Sequence, residues 1–317
     1  MHEVTSEATP PTSEPPVTAP GGDQPIPQET PATRRAAREA RVAARASAGR
    51  AGRNLPVAIG VGLGLGAVVV ASLFVRKQVF VGVVVAAVCL ALVELQQALA
   101  QRNVRVPVVP VAVGAVGMLV AAYTAGGQGL SVCFLLTALG VVVWRAAEGP
   151  VGALPDVAGG VFAAAYLPLL AGFAVLLLAE PDGARRVLVF VAVCVCSDVG
   201  GYAAGVLTGR HPMAPSVSPK KSWEGFGGSV LACVVGGTLL VWLLLDGPAW
   251  AGALLGLATV LTATLGDLGE SMIKRDLGIK DMGRLLPGHG GVLDRLDSLV
   301  MTAPIAWAIL HTFVSTR

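Results

Sequence analysis

Apolar runs follow one another almost without pause over the last five-sixths of the chain, separated by short polar segments rather than by an alternation of apolar and polar faces. Continuous runs of this kind predict helices that are apolar all round, as the bilayer requires. They fall at residues 55–75, 79–99, 106–123, 130–144, 157–179, 187–207, 226–245, 250–265 and 299–314. Several are shorter than the roughly 20 residues that a hydrocarbon core asks for, so their ends draw on the flanking loops. The boundaries within 130–165 are the least sharply marked. The predicted fold class is an all-α integral membrane protein of about nine transmembrane helices. Three regions result: a tail over 1–54, N-terminal transmembrane helices over 55–185, and a C-terminal region over 186–317 that holds the longest polar segments.

The tail differs from everything after it. Residues 1–33 are rich in Pro, Thr, Glu and Ala without apolar periodicity, a composition that buries too little surface to offset ordering entropy, and disorder is expected. Seven arginines follow among alanines (Arg34, Arg35, Arg38, Arg41, Arg45, Arg50 and Arg53), a positive flank to the first span or, alternatively, a basic helix lying on anionic lipid. No apolar segment stands near the N-terminus, so a cleaved signal peptide is not expected.

Composition agrees with a membrane protein: 54% of residues are hydrophobic and 14% charged, and the mean hydropathy is +0.71. The formal net charge of +3 is too small to suggest nucleic-acid binding. Placement of charge is more informative. With nine helices starting inside, 18 Lys and Arg residues fall in inner segments and five (Arg76, Lys77, Arg185, Arg186 and Arg317) in outer ones. The positive-inside rule then puts the polar segments that follow the sixth and eighth spans on the cytoplasmic face of the cell membrane.

The segment after the eighth span, residues 266–298, concentrates the chemistry. Read as helix, Asp267, Glu270, Ser271 and Lys274 share one face, and Asp294 and Asp297 do the same one turn apart. Between them, Gly288, Gly290 and Gly291 around His289 let the backbone approach a phosphate and aim N–H groups at it. Carboxylates alone repel a phosphate; a divalent cation held by them reverses the local sign. The other polar segment supplies Ser218, Lys220, Lys221 and Trp223, two ammonium groups to neutralise phosphate charge and an aromatic that suits a membrane interface. Asp198 lies inside an apolar run, where a carboxylate needs a polar cavity or a partner. Glu94, near the end of the second run, is expected to snorkel to the interface. The five cysteines all lie in apolar runs and read as small core residues.

These two segments closely resemble the signature of the phosphatidate cytidylyltransferases, the CDP-diacylglycerol synthases. Ser271, Lys274, Arg275, Lys280, Asp281, Pro287, Gly288, His289, Gly290, Gly291, Asp294, Arg295 and Asp297 match its S-x-x-K-R, K-D and P-G-H-G-G-x-x-D-R-x-D elements. Residues 197–225 resemble its S-D-x-G-A-Y and S-P-K-K-[ST]-x-E-G elements, with Gly201 where Ala is usual. The resemblance covers roughly the last 130 residues, and a dozen fixed positions at set spacings make it specific.

It implies transfer of CMP from CTP to phosphatidate, with Mg²⁺ held by Asp267, Asp294 and Asp297, K⁺ as a companion cation, and a homodimer. Asp198 joins those three as a catalytic group. Ser218, Lys220, Lys221, Ser271, Lys274, Arg275, Lys280, His289, Gly290, Gly291 and Arg295 are the expected substrate-binding residues. Competing readings are transfer to another lipid acceptor such as a prenyl phosphate, a CTP-dependent lipid kinase, and a transporter whose Asp198 and Asp267 line an ion path. No internal repeat supports the transporter, and the acids cluster with bases near one surface. The D-G-x-x-A-R pattern of alcohol phosphotransferases is missing.

Overall fold

The computed structural model describes residues 55–214, 217–283 and 290–315, and within them the chain is almost wholly helical. The helices are α1 (Leu55–Val75), α2 (Lys77–Ala100), α3 (Val108–Glu148), α4 (Ala153–Ala164), α5 (Leu170–Ala179), α6 (Gly183–Thr208), α7 (Trp223–Leu245), α8 (Ala249–Leu277) and α9 (Leu293–Phe313). A π-helical turn at Ala165–Leu169, centred near Pro168, joins α4 to α5 as one element. Among the described residues seven elements are long and apolar enough to cross a membrane, with a shorter apolar helix at Gly64–Val75. Large apolar side chains such as Val199, Leu207, Leu231 and Trp242 face outward, as a lipid-facing surface demands. The protein is a multi-pass helical membrane protein.

At 41 residues α3 would span about 60 Å if straight, twice the hydrocarbon thickness. It breaks at Gly126, whose φ of 68° and ψ of −156° are open to glycine and strained for other residues. Beyond the break the chain doubles back: Gly114 abuts Thr137, Gly117 faces Cys133 and Gly140 faces Pro110. These pairs are centred on residues 125–126, so α3 is an antiparallel hairpin whose arms match the runs expected at 106–123 and 130–144.

Small residues hold the C-terminal helices together. Helix α7 packs against both α6 and α8, and α8 against α9. Where α6 crosses α7, a Cβ on Gly200 would overlap the Gly228 carbonyl, and where α7 crosses α8, one on Gly237 would overlap that of Gly252. Close backbone approach through small residues is how helices associate in a solvent as apolar as their own side chains.

Among the described residues, most long-range contacts of charged side chains sort into two ends of the bundle. At one, Asp156 accepts from the Arg105 backbone N–H (2.6 Å) and the Arg145 guanidinium (2.8 Å), and Arg102 pairs with Asp276. At the other, Lys77 reaches the Glu180 carbonyl, His311 meets Glu180 (2.7 Å), and Arg186 binds Asp182 and the carbonyls of Leu310 and Val314. One departure from an all-α fold lies at the first end. Strands β1 (Pro212–Ala214) and β2 (Ser218–Ser222) form a short antiparallel hairpin between α6 and α7.

Candidate active site

Six elements, β1 among them through Met213, meet at the first end around a cavity of about 630 Å³. Helix α6 contributes Asp198, β2 contributes Lys221, α8 contributes Asp267, Glu270, Ser271 and Lys274, and α9 contributes Asp294, Arg295 and Asp297, while the start of α7 closes one side. Local sequence explains each placement. Ser222 caps α7, its hydroxyl accepting the Gly225 N–H at 3.1 Å. Glu224 accepts the N–H groups of Arg210 (3.1 Å) and His211 (3.2 Å), which fastens the β-hairpin to the start of α7. Helix α8 stops at Gly278, in the left-handed region at φ 73°, whose N–H meets the carbonyls of Lys274 and Arg275.

Charge on the walls is paired across elements. Lys221 Nζ lies 2.5 Å from Asp267 Oδ2. Lys274 Nζ bridges Glu270 Oε2 (2.8 Å) and Asp294 Oδ1 (2.9 Å), tying α8 to α9. Asp294 Oδ2 accepts the N–H groups of Gly291 (2.8 Å) and Met282 (3.2 Å), so this carboxylate also organises the loop before α9. Asp297 Oδ1 accepts the Ser298 N–H at 2.7 Å. The walls still hold six acids (Asp198, Asp267, Glu270, Asp281, Asp294 and Asp297) against three bases (Lys221, Lys274 and Arg295). Glu270 Oε1 is buried without a hydrogen-bond partner. An anionic ligand meets net negative charge there unless cations accompany it.

That surplus of negative charge suits a divalent cation. Among the described residues no three Asp, Glu, His or Cys side chains converge closely enough to enclose an ion alone. Mg²⁺ does not need such a cage, since it takes one or two carboxylates and completes its shell with water and substrate phosphate oxygens. Asp267 and Glu270 on α8 and Asp297 on α9, with an unpartnered Glu270 oxygen, suit that use.

Of the residues expected from sequence, Asp198, Lys221, Asp267, Ser271, Lys274, Asp294, Arg295 and Asp297 line the cavity. Gly290, at φ 79°, stands beside Asp294 and Gly291 is buried against Glu94, and neither lines the cavity. Ser218 lies in β2 without reaching the cavity. Arg275 is exposed, with its Nε 3.4 Å from the Val217 carbonyl, and Lys280 is exposed beyond the end of α8. His289 and the Lys220 side chain lie outside the described residues, as does the tail over 1–54. Two acids gain weight. Glu270, on the helix face read from sequence, is a wall residue at 2% exposure. Glu94 does not snorkel: it is equally buried and accepts the Leu293 N–H at 2.8 Å, because the start of α9 offers a donor inside the bundle. Gly201 and Gly205 both line the cavity and admit α7, since a Cβ at Gly201 would overlap Ser229 Oγ.

A helical bundle in the membrane, with carboxylates and ammonium groups around a cavity at one end, belongs to the class of membrane-embedded enzymes acting on charged substrates. Comparison narrows this. The family model described as the cytidylyltransferase family matches residues 57–313. The phosphatidate cytidylyltransferase of Mycobacterium leprae (strain TN) is 42% identical over 310 residues, covering 92% of this chain and 98% of its own. That of Mycobacterium bovis is 42% identical over 275 residues, 82% of this chain and 90% of its own, and that of Brucella suis is 37% identical over 190 residues, 59% and 66%. The chain belongs to the cytidylyltransferase family.

Proposed function

We propose that the chain transfers CMP from CTP to phosphatidate, releasing pyrophosphate and giving CDP-diacylglycerol for phospholipid synthesis. The observation that carries this reading is the cavity itself, with Lys221, Lys274 and Arg295 set among six acids at one end of a membrane bundle. The phosphatidate phosphate is already an anion and attacks the α-phosphorus of CTP in line, so the protein's task is positioning and charge neutralisation. Lys221 and Arg295 bind phosphate oxygens, with Lys220, Arg275 and Lys280 drawing the nucleotide toward the rim. Ser271 at the wall, with His289 and the Gly290 backbone, supplies hydrogen bonds to the phosphates, while Ser218 stays outside the cavity in β2. Asp198 faces the same space from α6 and orients the bound cation's hydration.

Asp267 and Asp297 would hold Mg²⁺, with Asp294 beside them as a further carboxylate, and K⁺ would be the companion ion. Bound there, Mg²⁺ offsets the charge shared by the attacking phosphate and the leaving pyrophosphate. The arms of α3 cross separately and α1 crosses once, which makes nine spans. Arg102, Arg105, Arg145, Lys221 and Lys274 then share the cavity's end, and the positive-inside rule makes that end cytoplasmic, where CTP is supplied. The catalytic region is 186–317, resting on the helices of 55–185, and two copies associate as a homodimer.

Purified protein given labelled CTP with phosphatidate should release pyrophosphate and CDP-diacylglycerol in equal amounts. Faster turnover with a prenyl phosphate, or transfer of the γ-phosphate to lipid, would replace this reading. Cysteines placed near Lys221 and Gly290 should resist an impermeant reagent on intact cells while one at Pro181 reacts; labelling at Gly290 reverses the orientation.

A further inference from the structure

The first turn of α9 carries Asp294 and Arg295, with Asp297 at the start of the second, and its N-cap residue, Val292, makes no side-chain capping bond. A helix start without a cap leaves backbone donors unsatisfied. Here one donor is met from far away in sequence. Glu94, on α2, accepts the Leu293 N–H through Oε2 at 2.8 Å, across 199 residues. Only 2% of Glu94 is exposed, and a carboxylate that buried gains from the positive end of a helix dipole.

Two signature-loop glycines fit around the same side chain. A Cβ on Gly283 would overlap Glu94 Oε1 and Cδ, and one on Gly291 would overlap Oε2. Gly291 also donates to Asp294. Gly283, Gly291 and the start of α9 therefore close on one buried carboxylate, which comes from the half of the chain without the signature.

We infer that Glu94 is a positioning residue for the reaction: it caps α9 from α2 and sets where Asp294, Arg295 and Asp297 stand relative to Lys274 and Asp267 on α8. This rests on the cytidylyltransferase reading of the cavity. Glu94 touches no substrate; its effect runs through the helix start that it holds. Displacing catalytic groups by about 1 Å costs on the order of a hundredfold in rate.

Glu94→Gln keeps the shape and an acceptor oxygen, whereas Glu94→Leu keeps the bulk and loses the acceptor. With CTP and phosphatidate, Glu94→Leu should lower kcat at least about thirtyfold with KM for CTP within about threefold, and Glu94→Gln should restore kcat to within about threefold of the parent. Hydrogen exchange over residues 290–298 should rise in Glu94→Leu and stay at the parent level in Glu94→Gln. Parent kcat and parent exchange in Glu94→Leu would overturn the inference. Should that variant not fold, Gly283→Ala and Glu94→Ala provide the test, because removing the side chain beyond Cβ clears the Glu94 atoms that the new methyl would meet. The double variant should then lose less activity than the two single losses combined, and simple additivity would overturn the inference. A parent protein without CTP–phosphatidate turnover refutes the assigned reaction instead, and leaves the exchange measurement to decide the role of Glu94.

Discussion

The two ends of the bundle use the same residue types to opposite purposes. Away from the cavity, Arg186 is fully buried and each of its three nitrogens donates, to Asp182 and to the Leu310 and Val314 carbonyls, where α9 ends. Its charge also sits at the favourable end of that helix dipole. At the cavity, Lys221 and Asp267 face each other at about 30% exposure each, in contact with the space that a ligand would fill. A buried ion whose donors end on backbone carbonyls has nothing to exchange and fixes structure. An ion pair at a cavity wall can trade its partner for a substrate phosphate or a cation, which is what a binding site needs.

The largest effect that would break this contrast belongs to Arg186. Replacing it by Met leaves the Asp182 charge and two carbonyls without their donor, and should cost on the order of 3 kcal/mol of stability. The melting temperature in detergent should fall while kcat per folded molecule stays near the parent. A large loss of kcat at unchanged stability would mean that the far end takes part in turnover.

Asp267→Asn or Asp297→Asn should do the reverse. Each keeps the side-chain shape and removes a charge from the cavity, so turnover should fall at least about a hundredfold, near 3 kcal/mol, with little change in melting. The dependence on Mg²⁺ concentration should shift to higher values. Asp294→Asn is expected to lose activity and some stability together, because an amide that keeps its oxygen on the N–H groups of Gly291 and Met282 turns its NH2 donors toward the Lys274 ammonium. If folded Asp297→Asn protein turns over at the parent rate with parent Mg²⁺ dependence, the cation assignment is wrong.

Lys221 sharpens the contrast with a smaller change. If its pairing with Asp267 is exchanged for a CTP phosphate, Lys221→Ala should raise KM for CTP about tenfold, near 1.4 kcal/mol, and move kcat by less than about threefold. A fall in kcat at constant KM would place Lys221 on the transition state instead.

What the sequence disclosed and what it hid divide along range. The shared face of Asp267, Glu270, Ser271 and Lys274 follows from helical spacing alone, and all four side chains meet the cavity. The two runs at 106–123 and 130–144 mark the arms of the α3 hairpin, since an apolar stretch of 41 residues is too long for one crossing. Partners across the fold left no local trace. The Lys274 link to Asp294 joins two helices, and the Glu94 contact with Leu293 joins the two halves of the chain. Arg186 read as one of the outer-segment charges because nothing in its neighbourhood shows that α9 ends beside it. Strands of three and five residues gave too short a pattern to tell β1 and β2 from a loop.

The smallest expected effect concerns the tail, which tests whether the cavity end is complete without it. Residues 1–33 carry neither a Lys nor an Arg that could meet a phosphate, and the family match begins at residue 57, beyond them. Every cavity wall comes from α6 onward. Removing 1–33 while keeping the arginines of 34–53 should therefore leave kcat and KM for CTP within a few fold, measured on protein in detergent and again in anionic vesicles. The vesicle arm matters because the arginines are the part expected to meet lipid, at roughly 1 kcal/mol each near an anionic surface. A loss beyond about tenfold in detergent, worth about 1.4 kcal/mol of barrier, would make the tail part of the catalytic unit and the cavity walls described above incomplete.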